Sequence, residues 1–271
     1  CMYQLATEAL LAHYPKLTWK RYCELRAHFA DLEEVWQAAL GDFKSIGWEE
    51  NYVHAFLLWR DELDREKTYK ILEQEKIVCV IHDDPRYPPL LKQIYDPPLC
   101  LFVRGELSDL VFPLAVVGPR KFSPYGKQVT EELVRALAGA GLTIVSGLAL
   151  GVDGIAHQAA LDAGGRTIAV LGTGNDRAHV QPAGHRYLAD KIMASGGAVM
   201  TEYPPGTLAN SFTFPRRNRI IAGMCLGTLV AEAGEESGAL ITAQCALDNG
   251  REVFSVPQNI TSDTAVGSNN L

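Results

Sequence analysis

The chain has 271 residues, 47% of them hydrophobic and 21% charged, which excludes a largely disordered protein and leaves room for one large core or two smaller ones. Its formal net charge of -7 excludes nucleic-acid binding through overall charge, so any such binding must come from a local basic patch. No apolar run reaches the roughly 18 residues that a membrane span needs, and no signal peptide is read, so no membrane association is expected.

Residues 3 to about 70 carry helical periodicity (Leu5, Leu10, Leu11; Tyr22, Leu25, Phe29; Val35, Trp36, Leu40; Val53, Phe56, Leu57) without alternating strands, and predict a small helical domain over 1–70. Within it, Phe43-Lys44-Ser45-Ile46-Gly47-Trp48 has the glycine turn of a helix-hairpin-helix module, which can hold a phosphate on its amides. A glycine that merely ends a helix is the commoner use of that pattern. A charged helix is predicted from about 61 to 76.

A connecting segment with the first strands follows over 71–112: Ile77–Ile81, a proline-rich stretch from Pro85 to Pro98, and Leu99–Val103. Beyond Pro113 a short apolar run, a glycine turn and a helical segment repeat, the pattern of a mostly parallel sheet with crossover helices over 113–271. The expected strands are Leu114–Val117, Leu142–Val145, Thr167–Leu171, Ala198–Met200, Thr228–Ala231 and Glu252–Val256, with helices near 125–139, 151–163, 184–195, 216–224 and 238–249.

The six cysteines, at 1, 23, 79, 100, 225 and 245, form no CxxC pair and no cysteine–histidine spacing suited to zinc, so no metal is expected. They read as reduced thiols and point to the cytoplasm. The Cys1-Met2 start is read as an added residue or as the mark of a missing upstream segment.

The most distinctive stretch is Phe214-Pro215-Arg216-Arg217-Asn218-Arg219. Arginine stays charged at every biological pH and its planar fork matches phosphate, so arginines clustered at a helix start suit an anion receptor. A solvated basic turn is the plainer alternative. Ligands of such sheets bind outside the carboxyl ends of the strands. The turns there carry Gly118-Pro119-Arg120, Ser146-Gly147, Gly172-Thr173-Gly174, Glu202-Tyr203 and Gly234-Glu235-Glu236-Ser237-Gly238. None completes a dinucleotide fingerprint or a P-loop, so no nucleotide cofactor is expected. Asp153 and His157, four apart, could form a hydrolytic pair, or serve a structural contact between helix start and neighbouring turn, and the structural contact is favoured because no nucleophile motif accompanies them. Glu202 and Glu232, both at strand ends, make a weak candidate carboxylate pair for glycoside chemistry.

Three stretches together resemble the DNA-processing protein A family (DprA/Smf): Ser146-Gly147-Leu148-Ala149-Leu150-Gly151-Val152-Asp153-Gly154-Ile155-Ala156-His157, Phe214 to Gly223, and Ser237-Gly238-Ala239-Leu240-Ile241-Thr242-Ala243. The resemblance implies an extended Rossmann-like α/β fold with a sterile-alpha-motif-like (SAM-like) helical N-terminal domain. It implies a homodimeric, non-enzymatic protein that binds single-stranded DNA, protects incoming strands in natural transformation and loads the recombinase RecA. Carried over by motif, Gly118, Arg120, Ser146, Gly147, Gly172, Phe214, Arg216, Arg217, Asn218 and Arg219 would form the DNA-binding pocket. Pro119 replaces the family's usual serine, His185 falls where asparagine is common, Gln181-Pro182 stands in place of tyrosine-proline, and Gln258 replaces a glycine. The chain ends at Leu271 before any winged-helix tail of the kind many members carry. Two other readings are a phosphoribohydrolase of the LOG type, resting on Glu232, and a nucleotide sensor without turnover.

Overall fold

A computed structural model of the chain describes residues 6–108 and 110–271; Cys1, Met2 and Leu5, named above, lie outside them. The N-terminal part is helical: α1 Thr7–Leu11, α2 Trp19–His28, α3 Leu40–Ser45, α4 Glu50–Glu62 and α5 Arg65–Gln74. Its core is aromatic, with Phe43, Trp48, Phe56 and Tyr14 packed together. The expected charged helix over 61–76 is two helices: Asp64 accepts from the Lys67 amide and starts α5 afresh. At Gly47 (φ 88°) α3 simply ends, because the Gly47 amide donates to Lys44 and the Trp48 amide to Phe43. Those amides are spent inside the turn.

The sheet follows: β1 Val78–Ile81, β2 Cys100–Gly105, β3 Leu114–Val117, α6 Pro124–Gly139, β4 Ile144–Ser146, α7 Val152–Asp162, β5 Thr167–Val170, α8 Arg186–Ala194, β6 Ala198–Thr201, α9 Thr213–Gly223, β7 Gly227–Val230, α10 Gly238–Asp248, β8 Glu252–Ser255 and α11 Val266–Asn269. Among the described residues the eight strands run in the order β1-β2-β6-β5-β4-β3-β7-β8. The six from β3 to β8 are parallel, and β2 joins β6 antiparallel with β1 antiparallel beyond it.

Both faces are covered, which is why the central strands are apolar throughout. Val116 packs with Val134 of α6 and Ala156 of α7, while its neighbours Ala115 and Val117 face Ile220, Ile221 and Ala243 of α9 and α10. α8 covers Ala169 and Val199 through Leu188 and Ile192. The helical part joins the β1–β2 edge through Ala9, Leu72, Cys100 and Phe102. The strand order turns back at β3, since β4, β5 and β6 lie to one side of it and β7 and β8 to the other. A ligand crevice belongs outside the carboxyl ends of β3 and β7.

No helix among the described residues is long and apolar enough to cross a membrane. No cluster of three or more potential metal ligands occurs among them. Cys23, Cys79, Cys100, Cys225 and Cys245 carry free thiols.

Candidate nucleic-acid interface

A cleft of about 910 Å³ opens at that crevice, between the turn after β3 (Gly118, Arg120, Lys121), the segment leading into α9 (Asn210, Phe214, Asn218) and the turn into α10 (Ser237, Thr242). Arg120 and Lys121 are exposed. The Arg120 guanidinium stands 5.8 Å from the centre of the Phe214 ring, a cation–π approach. That ring lies against Gly172, where a Cβ would come within 2.9 Å of it. One rim therefore combines two exposed cations with an aromatic face.

α9 begins at Thr213, three residues ahead of the expected start, because Pro215 in its first turn needs no amide partner. The helix sends its arginines in different directions. Arg217 turns inward and is 5% exposed. It donates to the Gly147 carbonyl at 2.8 Å and to the Val170 carbonyl, and its Nε donates to Asn218 Oδ1 at 3.1 Å. Burial pulls the guanidinium below the usual arginine range, and the opposing charge of Asp153 draws it back up. Arg219 turns to the other side of the helix and donates to Glu202, with Asp96 at 3.4 Å. Arg216, half-exposed, lies 3.7 Å from Asp96 and 3.9 Å from Glu202. Only Arg217 of the three borders the cleft.

Ser146 and Gly147 form the floor beneath the arginine. The Ser146 hydroxyl donates to the Val116 carbonyl, and the Gly147 amide donates to Asp153 Oδ2 at 3.1 Å. Neither group is free for a phosphate. A Cβ on Gly147 would stand 2.3 Å from Arg217 Nη1, so any larger residue there has to displace the guanidinium. Of the expected residues, Gly118, Arg120, Phe214, Arg217 and Asn218 line the cleft, Gly147, Ser146 and Gly172 support it, and Arg216 and Arg219 belong to an ion-pair cluster behind it. Lys121 and Asn210 were missed. The Gly-Pro-Arg-Lys run was the available signal for the lysine.

Asp153 and His157 do not pair. Asp153 reaches back to the amides of Gly147 and Ala149, and His157 Nδ1 bonds Thr167 Oγ1 at 2.7 Å. Burial raises the Asp153 carboxyl and pushes His157 down to about 3. Glu202 and Glu232 do not pair either. Their strands stand four places apart in the sheet, roughly 19 Å at the usual strand spacing, whereas glycoside chemistry needs carboxylates within about 10 Å. Glu232 instead accepts from the Ser123 amide and hydroxyl at 3.0 and 3.2 Å and steadies the start of α6. The atypical residues have structural partners: His185 Nδ1 donates to the Leu148 carbonyl, Gln258 Nε2 to the Ala231 carbonyl, and the Pro119 carbonyl accepts from Val152. Gln181-Pro182 is a cis peptide.

The family model of DNA recombination-mediator protein A matches residues 78–271. Protein Smf of Escherichia coli is 46% identical over 197 residues, covering 72% of this chain and 52% of its own. The DNA processing protein DprA of Streptococcus pneumoniae is 46% identical over 189 residues, 69% of this chain and 66% of its own. The chain thus spans about half to two thirds of the length of these relatives. The X-ray structure of DprA from Streptococcus pneumoniae superposes with a TM-score of 0.81 at 36% identity, covering 98% of this chain and 92% of that one. A Helicobacter pylori DprA structure, described for its single-stranded DNA binding mode, gives 0.62 at 30% identity over 68% of this chain and 83% of that one. Sequence match and shared architecture agree: this chain belongs to the DNA recombination-mediator protein A (DprA/Smf) family.

Proposed function

We propose that the cleft between the β3 turn and α9 binds single-stranded DNA, and that the protein works in the cytoplasm as a recombination mediator. In this reading it protects incoming strands during natural transformation and loads RecA onto them as a homodimer. The observation that carries the proposal is the pairing of exposed Arg120 and Lys121 with the Phe214 ring on one rim of a cleft, in a chain whose overall net charge is -7. Cations hold phosphates and an aromatic face takes bases of any kind, which is what single-strand binding without sequence preference needs. The single-stranded DNA binding of the Helicobacter pylori relative supports the same ligand class.

No residue is assigned to break a bond. Glu232, on which a phosphoribohydrolase reading rests, holds Ser123 rather than facing the cleft. The deciding experiment compares single-stranded with duplex DNA over a salt titration. A local patch on an acidic protein predicts strongly salt-dependent single-strand binding and little affinity for duplex. Equal affinity for both, or none for single strands, would overturn the proposal.

A further inference from the structure

Phe212 stands two residues ahead of Phe214 and is 83% exposed, among the most exposed large apolar side chains described. Its backbone is not loose. Asn210 Oδ1 accepts from the amides of Phe212 and Thr213 at 2.9 and 3.0 Å, and the Phe212 carbonyl accepts from the Arg216 amide at 3.3 Å in the first turn of α9. Thr213, buried, returns a bond from its hydroxyl to the Asn210 carbonyl at 3.1 Å, and the Tyr203 hydroxyl donates to Thr213. The segment from Ala209 to Ser211 is at the same time a lip of the cleft. Phe212 thus extends its ring into solvent from a fixed stretch of backbone, next in sequence to the lip of the cleft.

Exposed apolar side chains on a loop are ordinary, but this ring, carried on fixed backbone next to the lip of a cleft, is left largely uncovered by the described residues and has lost the apolar burial that a ring usually finds. A ring in that position suits one kind of contact. Every base has a π-face, so stacking on an exposed phenyl is sequence-tolerant and adds to the grip of cations without using them. Phe214 already offers such a face inside the cleft, under Arg120. We propose that Phe212 is a second base-stacking platform, outside the lip, taking a nucleotide of the strand that continues past the one held at Phe214; this rests on the single-stranded DNA reading above.

Stacking and phosphate contact leave different signatures. A lost phosphate contact lowers affinity and flattens the salt dependence, because counterions are no longer released. A lost stack lowers affinity equally at every salt. Binding of an oligothymidylate long enough to pass the lip is to be measured over a salt series for the full chain and for Phe212→Ala, Phe212→Trp and Arg120→Ala. The four native tryptophans, Trp19, Trp36, Trp48 and Trp59, all lie in the helical part, so the unsubstituted chain supplies the emission baseline. The expectation is that Phe212→Ala binds about five-fold more weakly with an unchanged salt slope. Phe212→Trp should keep the affinity, and its added emission should be quenched by the DNA. Native-like affinity of Phe212→Ala, a flattened slope, or an unresponsive tryptophan would each overturn the stacking role while the response of Arg120→Ala still upholds the cleft. If the unsubstituted chain binds no single strand, both readings fall.

Discussion

The Arg217 guanidinium, on α9, donates to the Gly147 carbonyl after β4 at 2.8 Å and occupies the space that a Cβ on that glycine would need. The most buried member of a basic run is therefore a tie between two elements under the cleft rather than a free ligand for DNA. Removing it leaves the Gly147 and Val170 carbonyls without this donor and Asp153 without the neighbouring positive charge, so Arg217→Ala is expected to cost about 3 kcal/mol of stability. Gly147→Ala forces a methyl against the guanidinium and should also destabilise. In the double variant the methyl enters vacated space, so the two penalties should fall short of their sum by at least about 1 kcal/mol. Urea unfolding of the four proteins checks this, and strict additivity would contradict it.

Arg120 carries the opposite expectation. It is exposed and its guanidinium stands 5.8 Å from the centre of the Phe214 ring, so Arg120→Ala should leave unfolding within about 0.5 kcal/mol of the native chain. Its cost should appear in DNA binding, as a loss of about 0.7 in the slope of log K against log salt for a single strand. An Arg216/Arg217 double substitution is the poorer probe, because it mixes lost contacts with a damaged fold. An unchanged slope in Arg120→Ala would remove this residue from the interface.

This division shows where sequence reading ran out. The central strands were legible because burial on both faces leaves Leu114–Val117 and Thr167–Val170 almost wholly apolar, and a short apolar run between turn signals needs no tertiary knowledge to be read. Strand direction was not, since β1 and β2 look alike whether parallel or antiparallel. The run Arg216-Arg217-Asn218-Arg219 was legible as charge. Which arginine borders the cleft was not, because adjacent positions on a helix point about 100° apart and the answer depends on what packs on each side. At Asp153 the favoured structural contact between helix start and neighbouring turn is the one formed, on the Gly147 and Ala149 amides, whereas the partner of His157, Thr167 of a neighbouring strand, could not be read from spacing.

The cluster behind the cleft has a weak and a strong partner. Glu202 is well buried and bonds Arg219, itself 14% exposed, whereas Asp96 is 35% exposed and stands off at 3.4 Å. Taking the carboxylate from a buried pair strands the arginine, which costs about 3 kcal/mol or more, while an exposed partner is worth under about 1. Glu202→Gln should accordingly unfold at clearly lower urea than Asp96→Asn. Equal losses would show that the two acids share Arg219 evenly.

His185 holds a turn that geometry alone disfavours. Leu148 has a φ of 57°, in the left-handed region that a branched, buried side chain rarely enters. Its carbonyl is fixed by His185 Nδ1 at 2.8 Å, and the turn carries Gly147 on to Arg217. His185→Ala should cost about 1 kcal/mol, and His185→Asn, which keeps an N–H donor, should recover much of it. If asparagine does no better than alanine in urea unfolding, the hydrogen bond is not what holds the turn.

The buried imidazole of His157 gives the protein an acid-sensitive element. The Thr167 hydroxyl donates to the Ile144 carbonyl at 2.8 Å, so its oxygen must accept from His157, which places the imidazole proton on Nδ1. Nε2 has no hydrogen-bond partner among the described residues. A second proton there would put an unpaired charge in the core, near His185 and Arg217. Burial first, and those two groups after it, hold the group down at about 3, against an ordinary value of 6.5. Below 6.5 the unfolded chain takes up a proton that the folded chain refuses, so stability is full above that pH and falls as the pH drops toward 3. At pH 5 the loss from this one residue is about 2 kcal/mol. His157→Gln cannot titrate. Its unfolding free energy should therefore decline less between pH 8 and pH 5 than that of the native chain, by about the same 2 kcal/mol, whatever its stability at pH 8. Because every other titrating group is shared by the two proteins, parallel pH profiles would mean that His157 is already protonated in the fold or reached by water.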